Sequence, residues 1–142
     1  MTVSFTMART PRQAVGATVL IVGCLCAVYG ALCLLGPLPW AQQLAAGPVS
    51  SDLMDAGAKV NPWVRDGHWY RLVTSTTLHG DLMHLLANCL CVMVLVPFCV
   101  LGVGLAPTLT CWVGGSIMGQ GLSFLMNMGT SIGASGGVFA LG

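Results

Sequence analysis

The chain has 142 residues, of which 56% are hydrophobic and only 6% are charged, and its mean hydropathy is +0.85. A soluble domain carries about 25% charged residues, so this composition excludes an ordinary water-facing surface and predicts an integral membrane protein in contact with the lipid bilayer. The five basic and four acidic residues leave a net charge of +1, which excludes a basic nucleic-acid-binding domain.

The first predicted transmembrane helix covers residues 14–36 and follows a polar tail over residues 1–13. Its apolar run, 14–35, is long enough to cross a hydrocarbon core of about 30 Å. A signal peptide is the competing interpretation. A signal peptide usually has an apolar core of about 7–15 residues followed promptly by a small-residue cleavage site, whereas this run is longer and no such site follows it promptly. Because Arg9 and Arg12 precede the helix, the positive-inside bias predicts a cytoplasmic tail.

Residues 37–80 are predicted to form an interfacial loop on the outer side of the membrane. Six of the nine charges lie in this segment, together with four large aromatic side chains: Trp40, Trp63, Trp69 and Tyr70. A flexible linker is rich in Gly and Ser, whereas Trp and Tyr are enriched at lipid headgroups. We therefore expect the loop to lie folded on the outer leaflet.

Three further apolar segments predict helices over residues 82–104, 107–127 and 133–142. Small residues in the third predicted helix favour close contact between helices: Gly114, Gly115, Ser116, Gly119 and Gly121. The predicted fold class is an all-α, multi-pass membrane bundle with three full transmembrane helices and the start of a fourth. Residues 14–142 then form one partial membrane domain.

The second predicted helix carries His84 and Asn88, which are four residues apart and therefore share one face. Both side chains can donate N–H groups, so together they could bind an oxygen that develops negative charge. The alternative is a polar pair that holds two helices together. His79, five residues before His84, does not share that face and is predicted to make a structural hydrogen bond that anchors the loop, and His68 is assigned no role.

The seven cysteines all lie in apolar runs and are predicted to be small packing residues. They form no paired pattern typical of a zinc site, so neither a metal nor a cofactor is predicted.

Residues 133–137 read Gly-Ala-Ser-Gly-Gly and match the G-x-S-x-G pattern of nucleophilic serines. In a chain with 19 glycines, a packing contact between helices is the alternative interpretation. Ser135 lies at a predicted helix start, where backbone N–H groups are free to bind an anion. Alternating helix directions place Ser135 in the same leaflet as His84, and this coincidence favours a functional site.

Four elements of the chain resemble the rhomboid family of intramembrane serine proteases, and their order covers about residues 55–142. They are Gly67-His68-Trp69-Tyr70-Arg71-Leu72-Val73-Thr74-Ser75, then Leu78-His79-Gly80, then His84-Leu85-Leu86-Ala87-Asn88, and Gly133-Ala134-Ser135-Gly136. The segment Gly57-Ala58-Lys59-Val60-Asn61 is also similar to the family.

The resemblance implies an intramembrane serine endopeptidase that cleaves transmembrane protein substrates. Ser135 would be the nucleophile, and His84, Asn88 and the backbone N–H of Ser135 would form the oxyanion hole. His79 would be structural. No oligomeric state is predicted.

The family has a six-helix core and takes its general base, a histidine, from the sixth helix. The sequence ends at Gly142, within the fourth predicted helix, so we expect a truncated form of a longer reading frame that is inactive alone. Two alternatives stay open. One is a non-proteolytic rhomboid-like protein that binds transmembrane segments as an adaptor or chaperone-like subunit, and the other is a structural subunit in which Ser135 only packs.

Overall fold

The computed structural model describes residues 10–142. Helices dominate this part of the chain: α1 (Pro11–Leu35), α2 (Trp40–Ala46), α3 (Ser50–Asp55), α4 (Asn61–Arg65), α5 (Arg71–Thr74), α6 (Leu82–Val103), α7 (Leu105–Leu125) and α8 (Ser135–Leu141). A 3-10 turn covers Ser75–Thr77, and two short strands, β1 (Lys59–Val60) and β2 (Thr130–Ser131), pair with each other. The predicted all-α class is confirmed.

Two helices, α1 and α6, are long and apolar enough to cross a membrane. They indicate a membrane protein, as predicted. The α7 helix has 21 residues, and its role as a third full span stays a prediction. Residues 1–9 of the predicted cytoplasmic tail, including Arg9, lie outside the described residues.

The first helix begins three residues earlier than predicted, at Pro11, because Thr10 caps it. The Thr10 hydroxyl accepts a hydrogen bond from the Gln13 backbone N–H, and the Gln13 side chain accepts one from the Thr10 N–H. This reciprocal capping box satisfies two N–H groups that a helix start leaves free. Pro11 fits the first helical position because its missing N–H is not needed there.

The other predicted boundaries shift by one or two residues. Gly104, with φ +103°, ends α6 one residue early and starts α7 at Leu105, which leaves Pro107 within the first turn of α7. The end of α7 at Leu125 precedes Asn127, which has a positive φ of 56°. The last helix begins at Ser135 rather than at residue 133, because Gly133 has φ +114° and cannot continue a right-handed helix.

The main apolar core lies between α1 and α6. Each helix buries a residue about every third or fourth position, which is the repeat of one helix face. The buried side chains are Ala14, Ala17, Ile21, Leu25, Tyr29 and Cys33 of α1 and Leu85, Cys89, Val92, Val96 and Val100 of α6. This core fixes the position of α6, whose first turn carries His84.

Small residues let α7 and α8 approach closely, as predicted, but only some of the expected positions contribute. A methyl group at Gly136 would lie 2.6 Å from the Gly115 carbonyl oxygen, and one at Gly119 would lie 3.1 Å from the Cα of Gly136. The predictions for Gly114 and Gly121 are wrong, because among residues 10–142 nothing lies within 4 Å of a methyl group built at either position. These two glycines point away from the helix contact.

The segment over residues 37–80 is folded, as predicted, and Arg71 organises its centre. Its Nη1 donates hydrogen bonds to the carbonyl oxygens of Met54, at 2.7 Å, and Ala58, at 2.9 Å. The guanidinium carbon lies 4.2 Å from the ring centroid of Trp63, in cation–π contact. The location of this segment on the outer leaflet stays a prediction.

The two strands connect this loop to the segment between α7 and α8. Lys59 pairs with Ser131, and Val60 pairs with Thr130, in antiparallel register. The pairing joins residues about 70 positions apart, so it brings the loop beside the segment that precedes Ser135.

The α7–α8 contact predicts that Gly137 does not tolerate a side chain. A methyl group there would lie 2.8 Å from Trp112 Cε3 and 2.9 Å from the Trp112 carbonyl oxygen. We expect Gly137→Ala to lower the free energy of unfolding by about 1–3 kcal/mol, as overpacking does. Gly114→Ala, the matched control on α7, has nothing within 4 Å and should not destabilise. Unfolding of both variants in detergent measures the difference, and equal effects would contradict the contact.

Candidate active site

Ser135 is the first residue of α8 and follows a tight, buried turn. Gly133 and Ala134 are buried, while Ser135 is half-buried. The positive φ of Gly133 is a conformation that glycine adopts without steric cost. The Gly133 N–H donates a 2.9 Å hydrogen bond to the Ser75 carbonyl oxygen. The turn is therefore fixed to the end of the folded loop.

The imidazole ring of His84 packs directly on the backbone of Gly133. A methyl group at Gly133 would lie 2.7 Å from Cε1 and 2.8 Å from Nε2 of His84, so only glycine leaves room for the ring. At the start of α6, Asp81 Oδ1 accepts a 2.8 Å hydrogen bond from the His84 backbone N–H and fixes this turn. The structure thus brings His84 beside the segment that carries Ser135.

Asn88 lies one helical turn after His84 and is buried, with 6% of its surface exposed. Its Nδ2 donates to the His84 carbonyl oxygen at 3.1 Å and lies 3.2 Å from Nε2 of His79. Because the His84 carbonyl can only accept, we assign Nδ2 to this side of the amide and its second proton to His79 Nε2. Both N–H bonds of the amide are therefore directed at groups within the protein.

His79 is closer to the predicted site than the sequence indicated. It is fully buried, and its ring meets that of His84 edge to face, with centroids 4.9 Å apart. Helical spacing alone indicated a different face from His84, but His79 precedes α6, so helical periodicity does not set its position. Its hydrogen bond with Asn88 fits the structural role that was expected.

The pKa of His79 is lowered from 6.5 to about 4, mainly by burial and also by the neighbouring His84, while the Thr77 backbone and Asp81 oppose the shift. His79 is therefore neutral at pH 7. A neutral imidazole has one acceptor nitrogen, and Nε2 serves as this acceptor for Asn88.

Sequence reasoning missed a group of polar residues on the other side of Gly133. Gln120 Nε2 donates a 3.4 Å hydrogen bond to the Gly133 carbonyl oxygen. Ser131 donates to Gln120 Oε1, and the buried Lys59 lies at the far end of this group. Their signal in the sequence is weak, namely one lysine and one glutamine among apolar neighbours. Gly133 is thus held at its N–H, at its carbonyl and on its open face.

The lowered pKa of His79 predicts that the protein loses stability as the pH falls. Above about pH 6.5 neither the folded nor the unfolded state binds a proton at His79. Between about pH 6.5 and 4 only the unfolded state does, so the free energy of unfolding falls with pH, by about 3 kcal/mol in total.

Unfolding in detergent at pH values between 7 and 4.5 measures this loss. The matched variant His79→Gln has no titrating group at this position, so its stability should decline less over the same range. Parallel curves for the two proteins would contradict a neutral, buried His79.

Two comparisons with known proteins bear on this arrangement. The family model of the Rhomboid domain matches residues 66–142, which is more than half of the chain and includes His84, Asn88 and Ser135. The chain is 30% identical over 104 residues to RHOMBOID-like protein 9, chloroplastic, of Arabidopsis thaliana. That alignment covers 68% of this chain and 24% of the relative, so the chain spans about a quarter of the relative's length.

No solved structure matches the chain. The family assignment therefore rests on the domain match, and the four sequence elements that resemble the family agree with it. The chain belongs to the rhomboid family.

Proposed function

We propose that the chain carries the nucleophile and the oxyanion hole of an intramembrane serine endopeptidase that cleaves transmembrane protein substrates. The observation that carries this proposal is the contact between the His84 ring and Gly133, two residues before Ser135. A serine that only packs between helices has no need of an imidazole at this place. The proposal also draws on the family, whose members are usually serine proteases.

In the proposed reaction, Ser135 Oγ attacks the carbonyl carbon of the scissile peptide bond and forms a tetrahedral intermediate. The former carbonyl oxygen then carries a negative charge. The backbone N–H of Ser135, at the first position of α8, has no partner within the helix and is suited to bind this oxygen. The His84 ring, which contacts the same turn, supplies a second donor.

Collapse of the intermediate breaks the peptide bond, releases the amine with a proton and leaves an acyl group on Ser135. Water then hydrolyses the ester and restores the hydroxyl. A serine hydroxyl needs a general base for both steps. The family resemblance assigns this base to a histidine of a sixth helix.

Asn88 has a more restricted role in this proposal. Its amide protons are directed at His84 and His79 in this structure, so it binds an oxyanion only by releasing one of them. The bond to His79 is the one to exchange, since the bond to the His84 carbonyl runs along the helix. Asn88 thus supports the position of His84 in the resting protein and becomes a donor during the reaction.

The proposed topology follows the predicted tail and helices. With a cytoplasmic N-terminus, α1 would cross the membrane from the inner to the outer side. The α6 helix would then cross back to the inner side, and α7 would return to the outer side. This order places His84 and Ser135 in the outer leaflet, within one membrane domain over residues 14–142. The folded segment 37–80 would lie above them.

The nucleophile assignment predicts covalent labelling of Ser135. The reading frame that encodes these residues, expressed in full and purified in detergent, should react with a fluorophosphonate probe. Ser135→Ala should abolish labelling, whereas Thr130→Ala, which removes an exposed hydroxyl five residues earlier, should retain it. Labelling that survives in Ser135→Ala would refute the assignment.

An unlabelled full reading frame that still binds transmembrane peptides would instead favour a non-proteolytic adaptor.

The oxyanion-hole assignment predicts a specific loss at His84. His84→Phe keeps an aromatic ring near Gly133 but removes both ring nitrogens and with them the N–H donor, so kcat for a transmembrane substrate should fall by about 10²–10³-fold with KM little changed. The matched control is His68→Phe at an exposed ring beside Tyr70, which should leave kcat unchanged. Equal kcat values for the two variants would remove His84 from the reaction.

A further inference from the structure

Lys59 is a buried cation whose partners are all neutral. Its side chain is fully buried, and burial lowers its pKa. Four oxygens lie within hydrogen-bond distance of the ammonium and share its three N–H groups: Met128 O at 2.6 Å, Asn61 Oδ1 at 2.9 Å, Gly129 O at 2.9 Å and Ser123 Oγ at 3.0 Å. Three of these four acceptors belong to α7 or to the segment that follows it.

A buried charge is costly unless its hydrogen bonds are complete. An apolar side chain of similar length would fill the same space without this cost, so packing alone does not explain a lysine at this position. What lysine adds is three donors on one atom, which can hold several carbonyl oxygens at fixed distances. Here they hold the consecutive carbonyls of Met128 and Gly129.

A row of hydrogen bonds leads from Lys59 to Gly133. Lys59 donates to Ser123, and the Ser123 hydroxyl donates to the Ser131 hydroxyl at 3.1 Å. Ser131 donates to Gln120 Oε1, and Gln120 Nε2 donates to the Gly133 carbonyl. Every bond points in the same direction, and such rows strengthen one another in an apolar environment.

We propose that Lys59 is a positioning residue for the active site. Its ammonium holds the segment over residues 126–134 directly at two carbonyls and indirectly at Gly133, and this sets where Ser135 lies relative to His84. The part of this inference that concerns Ser135 rests on the proposed function. The ordering of the segment itself does not, so the two can be tested separately.

The first experiment measures hydrogen exchange of the full protein in detergent. Lys59→Met keeps the length of the side chain and removes its donors, so amide exchange over residues 126–134 should rise by about tenfold or more, while α1 and α6 keep their protection. Arg65→Met is the matched control. It removes a cation that donates to Asn127 of the same segment, at 2.9 Å, from an exposed position. Unchanged exchange in Lys59→Met would overturn the proposal.

The second experiment measures the rate of fluorophosphonate labelling at Ser135. Lys59→Met should slow labelling by about tenfold or more while the unfolding temperature stays within about 5 °C of the wild type, and Lys59→Arg should recover part of the rate. Gln120→Leu breaks the last bond of the row and should slow labelling similarly. The double variant should be no slower than the slower single variant.

The outcomes separate the two proposals. Raised exchange with an unchanged labelling rate would overturn the effect of Lys59 on Ser135. If the losses of labelling rate in Lys59→Met and Gln120→Leu multiply in the double variant, Lys59 does not act on Ser135 through Gln120. A wild-type protein that does not label at all would refute the proposed function, and the exchange experiment alone would then decide whether Lys59 orders the segment.

Discussion

The contact between the His84 ring and the Gly133 backbone is the constraint on which the rest of the site depends. It requires a residue without a side chain at position 133, and the positive φ of that residue makes α8 begin at Ser135. The contact also fixes the first turn of α6 against the turn that precedes α8. Ser75 and Gln120 then hold the N–H and the carbonyl of Gly133, so the turn has little freedom to move away from the ring.

Several buried polar groups in this protein are held in small hydrogen-bonded sets within an apolar bundle. Asn88 joins His79 to the start of α6 by a hydrogen bond. Within the loop, Arg71 donates hydrogen bonds to two carbonyl oxygens and lies in cation–π contact with an aromatic ring. In an environment without water, an unpaired polar group is costly, so each set strongly favours one arrangement. The apolar helices determine where the site lies, and these hydrogen-bonded sets determine how its side chains and turns are arranged.

Sequence reasoning predicted the features that depend on local periodicity and missed those that depend on distant pairing. Hydropathy located the long helices, and the four-residue spacing placed His84 and Asn88 on one face. The contacts of His79 with His84 and Asn88 were missed because they depend on the conformation of the loop before α6. Three of the four partners of Lys59 were missed because they lie more than 60 residues away along the chain. Gly114 and Gly121 were assigned wrongly because composition alone does not give the rotation of a helix about its axis.

The row of hydrogen bonds that leads from Lys59 to Gly133 determines which way the hydroxyl hydrogens within it point. A row of hydroxyl groups can usually reverse, with every hydrogen turned to the other neighbour at no cost. This row starts at an ammonium group, which can only donate, and ends at a carbonyl oxygen, which can only accept. The hydroxyls of Ser123 and Ser131 are therefore left with one orientation, in which each donates towards Gln120 and the turn before Ser135.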